Sequence, residues 1–189
     1  GADIIKFQTF LAENLVTKIA PKAEYQIKNT KNKETQYKML KKLELNRKDH
    51  LKLINYCKIK KIKFLSTGFT IEDVKFLIKI CKLNIIKIPS GEITNYPLLK
   101  YIGKLNKYVF LSTGMANLNE IKFAFKTLIN NGTKKNKIFV MHCITEYPAK
   151  NSSLNLKAIQ FLSEKLKTKQ VGYSDHSTSV LAPAIATSI

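Results

Sequence analysis

Arginine is almost missing from this 189-residue chain, with Arg47 the only one, and acidic residues are scarce at 13 against 33 basic ones. The resulting formal charge of +20 invites a nucleic-acid reading, because a basic face neutralises phosphates and releases counterions. Two features argue against it. Base-edge readout favours the bidentate arginine fork, and the lysines are scattered through helix-like stretches at 41–42, 58–61, 75, 79 and 82 rather than gathered in one arm. They read as solvated faces, so no nucleic-acid partner is expected. Cysteine is sparse as well. Cys57, Cys81 and Cys143 are odd in number, widely spaced and without a CxxC pair, which excludes a disulfide framework or a zinc knuckle and fits a reduced cytoplasm. No apolar run approaches the ~18 residues of a membrane span, and the N-terminus lacks a basic-then-apolar signal pattern. The expectation is a soluble cytoplasmic protein with no membrane partner, one domain by length and able to bury about 70% of its unfolded surface.

What is present is a rhythm. FLSTGF at 64–69 and FLSTGM at 110–115 nearly repeat, and IKIPSG at 86–91 lies midway, an interval of about 23 residues that suits one strand, one turn and one helix. Further strand candidates are DIIKF at 3–7, KIFVMH at 137–142 and QVGY at 170–173. Between them lie amphipathic stretches of helical length, DHLKLINYCKIKK, IEDVKFLIKICK, LNEIKFAFKTLINN and NLKAIQFLSEKL. Strands that are apolar on both faces and joined by helices predict a parallel sheet covered on both sides. Each strand ends in small, hydroxyl-bearing or titratable residues, so the expected fold is a (β/α)8 TIM barrel, whose active sites sit on that face.

Only six strands can be counted where such a barrel has eight, and the chain starts without Met and stops inside the helical run VLAPAIATSI. The expectation is a partial TIM-barrel catalytic domain over 1–189, about six βα units with the first and last strands missing. The polar segment from Ala12 to Glu44 interrupts the rhythm and exceeds the ~12 residues of an ordinary loop. It reads as a functional excursion whose last part, ETQYKMLKKLEL, is helical.

The run IIKIPSGE at 85–92 sets Lys87 in an apolar strand, with Ile86 and Ile88 on one face and Ile85 and Lys87 on the other. An isolated buried ammonium would lose its charge, so such a lysine must be paired or hold an anion. Lys87 therefore bonds either Glu92 or an anionic substrate. Lys6 in IIKFQT repeats the placement and, with so few acidic residues, favours the anion. Ser66, Thr67, Ser90, Ser112, Thr113 and Ser174 are individually turn or cap residues; together they form a ring of donors suited to a phosphate or carboxylate. Glu92 is the carboxylate at a strand end, open to a capping role for a helix starting near Thr94 or to a chemical one. His176 is a candidate metal ligand that Asp175 could orient, unless Asp175 binds substrate. His142, Cys143, Cys57 and Cys81 read as core, the last two on helix faces.

In order along the chain, IIKFQTF, APKAEYQ, ETQYKMLKKLEL, FLSTGF, KIPSGEITNYPLL, LSTGMANLNEI, HCITEYPA and VGYSDHS resemble the bacterial sialic acid synthase family, the N-acetylneuraminate synthases, with legionaminate and pseudaminate synthases as close relatives. The resemblance covers essentially the whole chain. It implies a TIM-barrel transferase of sialic acid biosynthesis that condenses phosphoenolpyruvate with an N-acetylated aminosugar, N-acetylmannosamine in the type reaction, with Mn2+ or else Mg2+ or Co2+. By motif position, Lys6, Lys87, Ser90, Ser112 and Ser174 would hold phosphoenolpyruvate, with Thr67 a further candidate, Gln8 beside them and Asp175 among the substrate contacts. Glu92 would be the catalytic glutamate, His176 one of two metal histidines and Tyr147 a sugar contact.

The departures are Gly68 where many members carry Pro, Thr70 where Asp is common, and Thr145 where some sialic acid synthases have Asn, which leaves the sugar open among N-acetylmannosamine and the legionaminate and pseudaminate precursors. The C-terminal antifreeze-like domain, which in the family lends an arginine to the partner subunit of a homodimer, is absent, so the chain alone is expected to be inactive. The alternative from another class is a barrel fragment that binds anions without catalysis.

Overall fold

The computed structural model of the chain describes residues 1–30 and 34–189; positions 31–33 of the polar excursion lie outside the described residues. The chain divides into two compact units, Gly1–Leu83 and Asn84–Ile189.

In the first unit, β1 (Ile4–Thr9) pairs in parallel with β2 (Lys63–Gly68), in a register that sets Lys6 opposite Leu65 and Gln8 opposite Thr67. The polar excursion between them is more helical than its sequence suggested. A 3-10 turn at Ala12–Asn14 leads to α1 (Glu24–Thr30), α2 (Gln36–Leu43) and α3 (Arg47–Ile59). The helix starts are written in their caps: Thr35 accepts from the Lys38 amide and Asn46 from the Asp49 amide, each satisfying a donor that the first turn leaves open. Thr70, at the position where Asp is expected, caps α4 (Ile71–Lys79) through a reciprocal capping box with Asp73. Threonine supplies a side-chain acceptor for the first turn there, as an aspartate would. Phe76, Leu77 and Cys81 form a buried cluster with Ile54 and Leu83 packed on it. Cys57 is buried on α3, whereas Cys81 lies in the core just past the end of α4 rather than on a helix face.

The second unit repeats strand and helix without excursion: β3 (Ile85–Ile88), α5 (Tyr96–Leu105), β4 (Tyr108–Ser112), α6 (Leu118–Asn130), β5 (Ile138–Cys143), α7 (Ala158–Leu166), β6 (Val171–Ser174) and α8 (Ala182–Ser188). β3, β4, β5 and β6 pair in parallel in chain order. Because side chains alternate across a strand, register decides which residues share a face. Ile86, Ile88, Val109, Leu111, Ile138 and Val140 are all buried, at 4% exposure or less, and with Leu98, Leu99, Ile102 and Leu128 of α5 and α6 they make the core of the unit. The opposite face carries Lys87, Ser112, Cys143 and Ser174. Gly103 allows α5 and α6 to approach, since a Cβ there would lie 2.7 Å from the Asn131 Cβ. No helix among the described residues is long and apolar enough to cross a membrane.

Candidate active site

The site residues gather where the strands end. In the second unit, β3 delivers Lys87 and then breaks at Pro89 into a 3-10 turn, Ser90–Glu92, which brings Ser90 to Gly114 and Cys143 at the ends of the next two strands. The Lys87 ammonium donates to Ser112 Oγ at the end of the adjacent strand β4, and to the Ile88 carbonyl at 3.4 Å. Ser112 is 3% exposed and Lys87 half-buried. A hydroxyl and a carbonyl thus solvate the ammonium at the strand ends.

Ser90 Oγ accepts the Gly114 N–H at 3.0 Å and lies 3.3 Å from Cys143 Sγ. Cys143 in turn sits opposite Ser174 in the β5–β6 register. Lys87, Ser90, Ser112 and Ser174, read from sequence as one donor set, are thus brought to one end of one face of the sheet. Thr113 goes elsewhere: its hydroxyl is spent on the Met141 carbonyl at 3.1 Å.

Glu92 is not itself the helix cap. Asn95 caps α5, accepting from the Leu98 amide at 3.1 Å, and its side-chain amide donates to Glu92 Oε2 at 2.7 Å. The helix accordingly starts at Tyr96, two residues later than the sequence suggested. Glu92 is a half-buried carboxylate oriented by an amide, the kind of fixed geometry that general acid–base chemistry needs.

His176 Nδ1 lies 2.6 Å from the Ile144 carbonyl. A carbonyl only accepts, so Nδ1 carries a proton and donates it there, which fixes the orientation of the ring and leaves Nε2 as its other polar atom. Ser174 Oγ is 3.5 Å from that nitrogen. Ala149 N donates to the His176 carbonyl at 2.8 Å, and the Tyr147 ring lies against the imidazole with centroids 4.4 Å apart. Tyr147 and His176, for which the resemblance implies a sugar contact and a metal ligand, thus lie side by side. No group of three or more His, Cys, Asp or Glu side chains that could hold a metal ion occurs among the described residues.

Asp175 is occupied locally. Its Oδ1 accepts from the Ser177 amide at 2.9 Å and from the Tyr173 hydroxyl at 3.0 Å. Burial pushes this carboxyl up, but the Ser177 amide and hydroxyl, the Tyr173 hydroxyl and nearby His176 together pull it below its ordinary value. Tyr173 is pushed up to about 12, by burial first and then by Asp175. Both border a concavity of about 720 Å³ between α7 and α8, lined also by Gln160, Glu164, Lys169 and Thr187. His142 is a core residue as expected, its Nε2 bonded to the Leu154 carbonyl at 2.8 Å.

In the first unit, Lys6, Gln8 and Thr67 share one face through the β1–β2 register. Lys6 and Gln8 are exposed, and partial desolvation nonetheless lowers the Lys6 pKa. Thr67 is 2% exposed and its Oγ1 has no hydrogen-bond partner among the described residues. A buried orphan hydroxyl is costly.

The opposite face holds Ser66, which the sequence placed in the donor ring but which the alternation of the strand turns away from Thr67, together with His50, which the sequence did not signal. His50 of α3 is fully buried, bonding the Asn46 carbonyl through Nδ1 at 2.8 Å and Thr9 Oγ1 through Nε2 at 2.7 Å, and Thr9 Oγ1 lies 2.6 Å from Ser66 Oγ. This chain of polar groups ties helix α3 to the ends of both strands. A lone histidine in an amphipathic stretch carries no mark of it; the β1–β2 register, which brings Thr9 and Ser66 together, is the signal that finds it.

The sequence matches the NeuB family over residues 1–189. It is 52% identical over 180 residues to N,N'-diacetyllegionaminic acid synthase of Campylobacter jejuni, covering 95% of this chain and 53% of that protein. With the enzyme of the same name from Legionella pneumophila the identity is 42% over 188 residues, 98% of this chain and 52% of the other. The crystal structure of N-acetylneuraminic acid (sialic acid) synthetase from Leptospira borgpetersenii matches with a TM-score of 0.79 at 30% identity, covering 98% of this chain and 58% of that one. The chain spans about half the length of the curated relatives it matches, and its fold is six strands of a parallel α/β barrel of their type. The whole-length match, the strand-end donor set and the parallel βα repeat agree, and the chain belongs to the NeuB family of sialic-acid-type synthases.

Proposed function

We propose that the protein carrying this chain condenses phosphoenolpyruvate with an N-acetylated aminosugar to give a nine-carbon sugar acid and phosphate. The observation that carries this reading is the Lys87 ammonium set among serine hydroxyls at the strand ends, with few acidic residues to compete for it. Such a cradle suits a small, highly charged anion, and phosphoenolpyruvate offers a phosphate and a carboxylate.

In this reading Lys87, Ser90, Ser112 and Ser174 bind the anion, and the family resemblance assigns the same substrate to Lys6, Gln8 and Thr67. Carbon 3 of the enolpyruvate attacks the open-chain aldehyde of the sugar, forming the new C–C bond. Water adds at carbon 2, and phosphate departs by cleavage of the C–O bond, so that phosphoenolpyruvate, sugar and water balance against product and phosphate. Glu92, held by Asn95, takes or returns the proton of that water. Tyr147 packs on the sugar. A divalent ion such as Mn2+, bound in part by His176 Nε2, would supply Lewis-acid polarisation of the aldehyde. The protein works in the cytoplasm, as a homodimer.

For the sugar, we favour a hexose bearing two acetamido groups over N-acetylmannosamine, because the relatives at 52% and 42% identity are N,N'-diacetyllegionaminic acid synthases and Thr145 stands where some sialic acid synthases have Asn. The test is phosphate release by the full-length protein with Mn2+, phosphoenolpyruvate and each sugar in turn. A higher kcat/KM with the diacetamido hexose is expected. A preference for N-acetylmannosamine would overturn the sugar assignment, and no release with any aminosugar would overturn the enzymatic reading in favour of an anion-binding barrel.

A further inference from the structure

Cys143 reads from sequence as a packing residue, and it is buried, at 4% exposure. Its thiol nevertheless lies 3.3 Å from Ser90 Oγ, and Ser90 Oγ also accepts the Gly114 N–H at 3.0 Å. The three groups have no slack between them. A Cβ on Gly114 would lie 2.6 Å from Thr145 Cγ2, 2.9 Å from Ser90 Oγ and 3.2 Å from Cys143 Sγ.

A serine hydroxyl has one proton and two lone pairs. The Gly114 amide can only donate, so it takes one lone pair, leaving one proton and one lone pair to be divided between Cys143 and whatever binds above. If Ser90 gives its proton to Sγ, a lone pair is left facing the ligand, and an anion is repelled. If the thiol donates into the second lone pair instead, the Ser90 proton is free to point at the anion. Thiol sulfur is a weak acceptor, so it competes poorly for that proton. From this geometry we propose that Cys143 is a positioning residue, its S–H donating to Ser90 so that the Ser90 hydroxyl donates to a phosphoenolpyruvate oxygen; the inference rests on the function proposed above. The register agrees, since Cys143 stands opposite Ser174 on the face that carries Lys87 and Ser112.

The test uses the full-length protein with phosphoenolpyruvate as the probe. In the infrared difference spectrum with and without phosphoenolpyruvate, the S–H stretching band shifts to lower frequency on binding, and the shift is absent in Cys143→Ala. In kinetics, Cys143→Ala raises KM for phosphoenolpyruvate roughly threefold to tenfold, the loss of one ordinary hydrogen bond, while kcat and KM for the aminosugar stay within about twofold. Cys143→Ser, which keeps a donor, recovers most of the difference. An unmoved S–H band overturns the proposal even if Cys143→Ala fails to fold, because it is read on the unaltered protein. Equal losses in Cys143→Ala and Cys143→Ser, or equal rises in both KM values, would reduce Cys143 to packing. If the unaltered protein turns over but Cys143→Ala has an unchanged KM for phosphoenolpyruvate, this inference alone fails; if the unaltered protein releases no phosphate with any aminosugar, the parent reading fails with it.

Discussion

Replacing Thr67 by valine should make the ligand-free protein more stable and the liganded one less so. Thr67 is 2% exposed and its hydroxyl has no partner among the described residues. Leaving a hydroxyl buried and unbonded costs on the order of 1–3 kcal/mol in proteins. Valine has nearly the same shape, is β-branched as a strand prefers, and replaces the orphan oxygen by a methyl group. Taking the low end, a gain of about 1 kcal/mol raises the melting temperature of a chain of this size by roughly 2–4 °C. Binding reverses the balance. A hydroxyl donating to an anion is worth about 1.5–3 kcal/mol, so valine should weaken phosphoenolpyruvate about tenfold to a hundredfold. Because ligand stabilises only the form that binds it, thermal melts across a phosphoenolpyruvate titration should show the valine protein ahead without ligand and behind at saturation. A valine protein that melts lower without ligand, or binds phosphoenolpyruvate as tightly as the unaltered one, would refute the reasoning.

Glu92→Gln in the full-length protein should keep phosphoenolpyruvate affinity within about twofold, by calorimetry, while lowering turnover at least about a hundredfold, the range of a lost general acid or base. Equal loss of both would leave Glu92 only the task of orienting Asn95. Asp175→Asn should destabilise the fold at neutral pH and progressively less in acid. A carboxyl whose folded pKa is depressed contributes stability above its unfolded value of about 3.9 and loses it as pH falls through the folded one, so urea midpoints of the two proteins should converge between about pH 5 and pH 2; a gap independent of pH would mean that the Asp175 charge plays no part.

Much of the architecture was legible because the signals are local. All six strands and the long helices lie where apolar runs and helical periodicity put them, and the caps at Thr35, Asn46 and Thr70 follow from residue type. The polar excursion was less legible: α1 has no buried residue, so no apolar stripe announces it. Of the candidate site, the strand-end serines, Lys87 and His176 stood out in the sequence because chemistry concentrates where parallel strands end, and the fold sets Lys87, Ser112 and Ser174 on one face of the sheet. Lys87 proved to bond Ser112, and the capping role offered to Glu92 belongs to Asn95. Cys143 is buried as its apolar strand predicts, but its contact with Ser90, like the bonding of His50, was not legible, for a common reason. Each takes its partners from far along the chain, Ser90 for one and Thr9 for the other, and such pairings exist only once strand register is known. Asp175 looked available beside His176, and only the folded turn shows its carboxylate already taken by Ser177 and Tyr173.

In the function proposed above, the strand-end anion cradle serves a condensation in which phosphoenolpyruvate loses phosphate by C–O cleavage. Phosphoenolpyruvate carrying 18O in the oxygen that bridges carbon 2 and phosphorus tests it most directly, with the full-length protein, Mn2+, the diacetamido hexose and mass analysis of the phosphate released. The expected result is that all the released phosphate retains the label and that none is released without sugar. Unlabelled phosphate, or labelled phosphate released at the same rate without sugar, would contradict it.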